Sequence, residues 1–307
     1  MLEKKSTRQG YGDGLVLLGK EHDNVVALDG DLACATGSGI FKDVYPDRFF
    51  NAGIAEQNMI GLAAGLSRTG LVPFASSFAV FSAGRAFELI RNGVCYSKAN
   101  VKIVGAHAGI TAFGDGGTHQ SIEDLALMRV LPNMTVLNPC DYNQAIQMVR
   151  MAYEINGPVY LRITREPTPV FTKADEKLVP GKAQVLREGD DLCIIATGLP
   201  VYMAVEAADE LAQEGIRASV LNIHTLKPLD TETIRAYAQR CGKVLVVEEH
   251  NVIGGLNEAV SAALVGQALK YDRIGVEDRF GQSGLIDEVL EEYGMTTKNI
   301  LTHARAL

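Results

Sequence analysis

Short runs made almost wholly of apolar residues recur along this chain, and stretches of helical periodicity separate them. "NVVALDG" (24–30), "LVPFASSF" (71–78), "VKIVGAHAG" (101–109), "MTVLNP" (134–139) and "PVYLRIT" (158–164) are such runs. A strand with one wet face alternates apolar and polar residues; these do not. They read as strands buried on both faces, which implies a parallel sheet covered by helices. "IAEQNMIGLAAGLSRTG" (54–70), "SIEDLALMRVLPN" (121–133) and "DYNQAIQMVRMAYEIN" (141–156) carry the helical spacing. The second of these opens on Ser121, has acids in its first turn and stops at Pro132, as a helix should.

Residues 166–188 break the rhythm with prolines and charges and read as a connection. A second series follows: "LCIIATG", "RASVLNIHT", "KVLVVEEH" and "YDRIGVED" as strands, with "VYMAVEAADELAQEG" as a helix. The expected fold is α/β with two domains, 1–165 and 189–307. Each is a mostly parallel sheet covered by helices. A length of 307 residues suits that division.

The formal net charge of -8 argues against nucleic acid or an anionic membrane as partner. No apolar run reaches membrane-spanning length, and "MLEKKSTRQGYGDG" lacks the apolar core of a signal peptide. The five cysteines form no C-x-x-C pair, so reduced thiols and a cytoplasmic location are expected, without a zinc site.

In open α/β sheets, ligands bind outside the carboxyl ends of the strands. Asp29, Asp31, Glu56, His107 and Arg165 all fall there. Taken alone, Glu56 in the first turn of a helix complements the helix dipole, and Phe78 and Phe81 pack a core. Together, an acid beside an aromatic platform also suits a flat heteroaromatic ring. Gly114-Asp115-Gly116 with Asn143 has the spacing of a metal-diphosphate motif. Asn143 stands at a helix start, with a full helix and a strand between it and the loop. No metal ligands are therefore expected in this chain.

"GIAEQNMIGLAAGLS", "SSFAVFSAGRAFELIRN", "GDGGTHQSIEDLALMRVLPNMTV" and "LRITREPTPV" together resemble the C-terminal half of transketolases. "VVEEHNVIGGLNEAV" and "DRFGQSG" resemble that family's third domain. The resemblance runs from Arg8 to the C-terminus. It implies the C-terminal subunit of a split transketolase: a pyrimidine-binding domain for thiamin diphosphate, followed by a C-terminal domain. Glu56 matches the glutamate that activates the cofactor, Phe78 the ring stacked on its pyrimidine, and Phe81 the ring beside it. Asp31 matches an acid near the thiazolium. Arg8, His107 and Arg165 match sugar-phosphate anchors. Asp115 would accept a hydrogen bond from a sugar hydroxyl, and His119 would assist proton transfer at the donor sugar.

The same resemblance assigns the Mg2+ and diphosphate ligands to a separate N-terminal subunit, with an α2β2 assembly and transfer of a two-carbon ketol unit between sugars. Two positions depart from the pattern. Gly84 stands where a third aromatic is usual, and a phosphate-binding serine is replaced near Ala35 and Thr36. The rival readings are the β subunit of a 2-oxo-acid dehydrogenase, a deoxyxylulose-phosphate-synthase-like enzyme, and a non-catalytic subunit. His250 is expected to cap an element or contact a subunit; His22, His224 and His303 have no constellation around them.

Overall fold

The structure, a computed structural model, describes residues 2–307. The chain opens with β1 (Lys4–Lys5) and α1 (Thr7–Glu21), the helix capped by the Ser6 hydroxyl on the Gln9 amide. Then come β2 (Val25–Asp29), the short α2 (Ala33–Thr36) and α3 (Ser38–Val44), β3 (Phe49–Asn51), α4 (Glu56–Ser67) and β4 (Val72–Phe78). A wide-wound segment, Val80–Arg85, leads through α5 (Phe87–Leu89) and a second such segment, Ile90–Tyr96, to β5 (Lys102–Ala106). The first half closes with α6 (Asp124–Val130), β6 (Thr135–Leu137), α7 (Tyr142–Glu154) and β7 (Val159–Arg162).

The second half contains β8 (Thr168–Pro169), β9 (Gln184–Arg187), β10 (Leu192–Thr197), α8 (Pro200–Gln213), β11 (Ala218–Asn222), β12 (Thr225–Lys227) and α9 (Thr231–Cys241). It ends with β13 (Lys243–Asn251), α10 (Leu256–Ala263), β14 (Lys270–Val276), α11 (Ile286–Glu292) and α12 (Thr297–Ala306).

Two large sheets result. The first has the order β12-β6-β7-β5-β4-β2-β3, and the second β14-β13-β10-β11-β9. Every pairing in them is parallel except at β12 and β9, which lie antiparallel on the edges. The apolar strands behave as their composition demands: β2, β4, β5, β7, β10 and β11 are buried at every residue. Lys102 in β5 is one of the charged residues buried there, with Asp29 in β2 and Arg162 in β7. Its ammonium is satisfied by Asn100 Oδ1, Ile155 O and Gly157 O at 2.6, 2.6 and 2.9 Å.

Three local expectations are corrected. The helix expected from Ser121 starts at Asp124, because Ser121 is spent on a bridge to Ala108 and its carbonyl accepts the Gly109 amide at 2.7 Å. The irregular connection contains strands: β8 pairs with β1, and β9 edges the second sheet. The strand expected over 217–225 divides. Its end turns at His224, whose carbonyl accepts the Asn138 amide at 3.0 Å, and β12 joins the first sheet. The second half thus supplies an edge strand to the first half's sheet.

Candidate active site

After β3 the chain crosses back over β2 to form β4, so the carboxyl ends of β2, β3 and β4 surround one crevice. Glu56 opens α4 at the β3 side of it and is 1% exposed. Its Oε1 accepts the Ser77 hydroxyl of β4 at 3.1 Å, and its Oε2 accepts Arg85 Nη1 at 2.7 Å. Gly30, just past β2, is packed against the same group: a Cβ there would meet the Ser77 hydroxyl at 3.2 Å and Glu56 Oε1 at 3.7 Å.

Phe78 ends β4, and Phe81 lies in the wide turn that follows. Their rings are near-parallel, with centroids 6.0 Å apart and an interplanar angle of 14°. His107 stacks on Phe78 at 4.0 Å, and His119 stands edge-on to Phe78 and Phe81 at 6.1 and 5.3 Å. His119 Nδ1 is paired with the Thr118 hydroxyl at 2.9 Å.

His107 follows β5 with a left-handed backbone (φ 55°), uncommon for any residue but glycine. Its Nδ1 is buried without a hydrogen-bond partner among the described residues, a polar atom that needs one. Burial, then the charges of Arg8 and Arg165 and the neighbouring His119, push its imidazole from 6.5 down to about 3. His107 is therefore neutral at pH 7. On unfolding it regains its ordinary pKa, so between pH 6.5 and about 3 the unfolded chain binds the extra proton and stability falls with pH. Between pH 7 and pH 5 this residue should remove about 2 kcal/mol of stability. Urea unfolding at the two pH values checks it: His107→Asn should lose less than the native chain, and equal losses would refute the assignment.

Two arginines stand at the rim, and Arg165 is flanked there by Asp115 and Glu166. Arg165, after β7, lies 3.5 Å from Asp115 Oδ2 and 5.4 Å from the Phe113 ring. Arg8 Nη1 donates to the Ala35 carbonyl at 3.1 Å. That is the segment where the serine is missing, and a cavity of about 490 Å³ opens beside it, lined by Arg8, Cys34 and Lys42. Asp31 does not join the cluster. It is exposed, has φ 70°, and accepts Asn51 Nδ2 at 2.8 Å. Its neighbour Asp29 is the buried acid, holding the loop through the Thr36 and Ser38 hydroxyls at 2.7 and 2.8 Å.

Asn143 donates to the Thr172 carbonyl on a different segment from Asp115. No group of three or more His, Cys, Asp or Glu side chains is placed to hold a metal among the described residues. Ser77, Arg85 and Gly30 escaped the reading of the sequence, since only strand pairing brings them to Glu56.

The transketolase pyrimidine-binding domain matches residues 3–170, and the transketolase C-terminal domain matches residues 181–300. The chain belongs to the transketolase family. It is 46% identical to a putative transketolase C-terminal section of Methanocaldococcus jannaschii, over 96% of this chain and 94% of that protein. It is 41% identical to the 6-deoxy-6-sulfo-D-fructose transketolase subunit SqwH of a Clostridium species, over 99% and 94%. A solved split-gene transketolase, described as an inactive beta4 tetramer, superposes with a TM-score of 0.91 at 47% identity, covering 98% of this chain and 97% of that one. The chain thus corresponds to the C-terminal subunit of split transketolases. No helix among the described residues is long and apolar enough to cross a membrane.

His250 is buried and works as a cap: its Nε2 accepts the Ala126 amide in the first turn of α6 at 3.4 Å, and Nδ1 pairs with the Asn251 carbonyl at 2.7 Å.

Proposed function

We propose that this chain is the C-terminal subunit of a thiamin-diphosphate-dependent transketolase that moves a two-carbon ketol unit from a ketose phosphate to an aldose. The observation that carries the reading is one buried carboxylate, Glu56, beside paired aromatic rings, with three cationic or imidazole groups converging on the rim. The pocket fits a flat cofactor ring. Gly30 keeps a side chain off Ser77 and Glu56, Gly84 leaves open space beside the rings, and the His107 Nδ1 awaits a partner.

Thiamin diphosphate, when bound, supplies the carbanion-stabilising chemistry that protein side chains lack. Glu56 would hold the pyrimidine ring nitrogen and exchange a proton at that atom. Phe78 and Phe81 would orient the ring by stacking. His119 would carry a proton at the donor sugar's oxygen, a task suited to an imidazole. Asp115 would accept a sugar hydroxyl. Arg8, Arg165 and neutral His107 would bind the terminal anion, the two guanidinium groups through their planar forks. Asp31 stays a proposed charge near the cofactor's thiazolium side, supported by its place one residue past Gly30. The Mg2+ and diphosphate ligands would come from an N-terminal subunit in an α2β2 assembly working in the cytoplasm. The proposed domains remain 1–165 and 189–307, joined by 166–188.

Mixing this chain with that subunit, magnesium and thiamin diphosphate should yield ketol transfer from xylulose 5-phosphate. A sulfonated ketose is the second donor to try, because one relative is named for such a sugar. An intact complex inactive on every ketose would refute the reading. In the same assay Arg165→Ala should raise KM for the phosphorylated donor roughly tenfold or more, the weight of a charge-assisted hydrogen bond, with a smaller change in kcat.

A further inference from the structure

In this chain both oxygens of Glu56 are already taken, and the two partners differ. Ser77 is fixed inside β4 and buried. Arg85 is 47% exposed at the side chain, against 1% for Glu56. Its guanidinium carbon also lies 4.6 Å from the centre of the Phe81 ring. One side chain therefore occupies the acid and covers an aromatic face, the two features a flat ring would use. Room to leave is at hand: a Cβ on neighbouring Gly84 would meet no heavy atom within 4 Å. The Arg85 backbone is tied at its carbonyl by Gln57 Nε2 at 3.3 Å, so movement falls to the side chain.

We propose that Arg85 is a positioning residue that stands in the place of the cofactor's pyrimidine and sets cofactor affinity by competing for Glu56 Oε2. The proposal rests on the thiamin diphosphate reading above. The physical need is plain. A buried carboxylate without a counter-charge or donor is costly, and the ring that would satisfy it is absent until the cofactor arrives. Arg85 supplies the counter-charge meanwhile. A half-exposed guanidinium loses little on returning to water, so its displacement is cheap. The Phe81 contact adds a modest cation–π hold on the closed position.

A double-mutant cycle with Glu56→Gln and Arg85→Met tests this in two states. In the isolated chain, urea unfolding should show that Arg85→Met lowers stability, and that the loss shrinks in the Glu56→Gln background. In the complex with the N-terminal subunit and magnesium, calorimetric titration should show Arg85→Met binding thiamin diphosphate roughly three- to tenfold tighter. The gain should vanish in the Glu56→Gln background. Arg85→Lys, which keeps a charge but not the fork, should fall between. Weaker binding by Arg85→Met would make Arg85 a lasting cofactor contact and overturn the proposal; an unchanged affinity would overturn competition. A native complex that binds no thiamin diphosphate would overturn the functional reading and this proposal with it, yet leave the coupling in the isolated chain intact.

Discussion

Glu56→Gln is expected to lower kcat of the assembled enzyme by about 10²- to 10⁴-fold, the usual worth of a positioned proton-transfer group. Glutamine keeps the shape and can still accept the Ser77 hydroxyl, which lies 3.1 Å from Oε1. It cannot exchange a proton with a ring nitrogen at that site. It also loses the Arg85 ion pair, but that guanidinium is half exposed and can turn to water. The chain should therefore stay folded, which circular dichroism and a thermal melt would confirm. Steady-state kinetics at saturating cofactor isolates the chemical defect from weaker binding. Activity within a few-fold of native would remove Glu56 from the proton pathway and with it the proposed mechanism.

The legible part of the fold is the part written in long repeats. β4, β5 and β10 are apolar at nearly every position because helices cover both sheet faces, and that run survives any detail of packing. β12 has three residues and β9 four, and both are edge strands set by what they lie against. No run of that length announces a sheet. The start of α6 was masked in the same way. Ser121 has the chemistry of a cap, but the Gly109 amide claims its carbonyl across the chain.

The site divides along a similar line. Glu56, Phe78, His107 and Arg165 follow strands or open helices, so the rule that ligands sit at strand ends picks them out. Arg85 does not: its role comes from a wide-wound turn, Val80–Arg85, that swings it back over Phe81 toward α4. Asp29 and Asp31 show the limit at closest range. Asp29 ends β2 and Asp31 follows it, and the sequence favours the second. The fold buries the first as a loop organiser and leaves the second on the surface.

Asp124→Leu is expected to destabilise the chain by about 3–5 kcal/mol, because it strands a buried guanidinium. Arg162 is the largest fully buried side chain and Asp124 is wholly buried beside it. Arg162 Nε and the Tyr160 hydroxyl donate to Asp124 Oδ2 at 2.9 and 2.8 Å, and Arg162 Nη2 reaches Asp124 Oδ1 at 3.3 Å. Nη2 also donates to the Glu249 carbonyl on β13 at 2.9 Å, and Glu249 Oε1 in turn accepts the Thr111 amide and hydroxyl at 2.8 and 2.6 Å. The group therefore ties β7 and α6 of the first sheet to β13 of the second. Burial favours neutral forms at Glu249, whose carboxyl is pushed up. It cannot neutralise Arg162, which Asp124 and Glu249 hold charged. Removing the aspartate takes away its side-chain hydrogen bonds and its nearest counter-charge, leaving the Glu249 carbonyl and the charge of the Glu249 side chain. Urea unfolding should show the midpoint fall with little change in slope. The double variant Asp124→Leu, Arg162→Met should recover much of the loss, since both charges then leave together. A single variant that costs under about 1 kcal/mol would show that water reaches Arg162 and that this contact between the sheets is not a dry one.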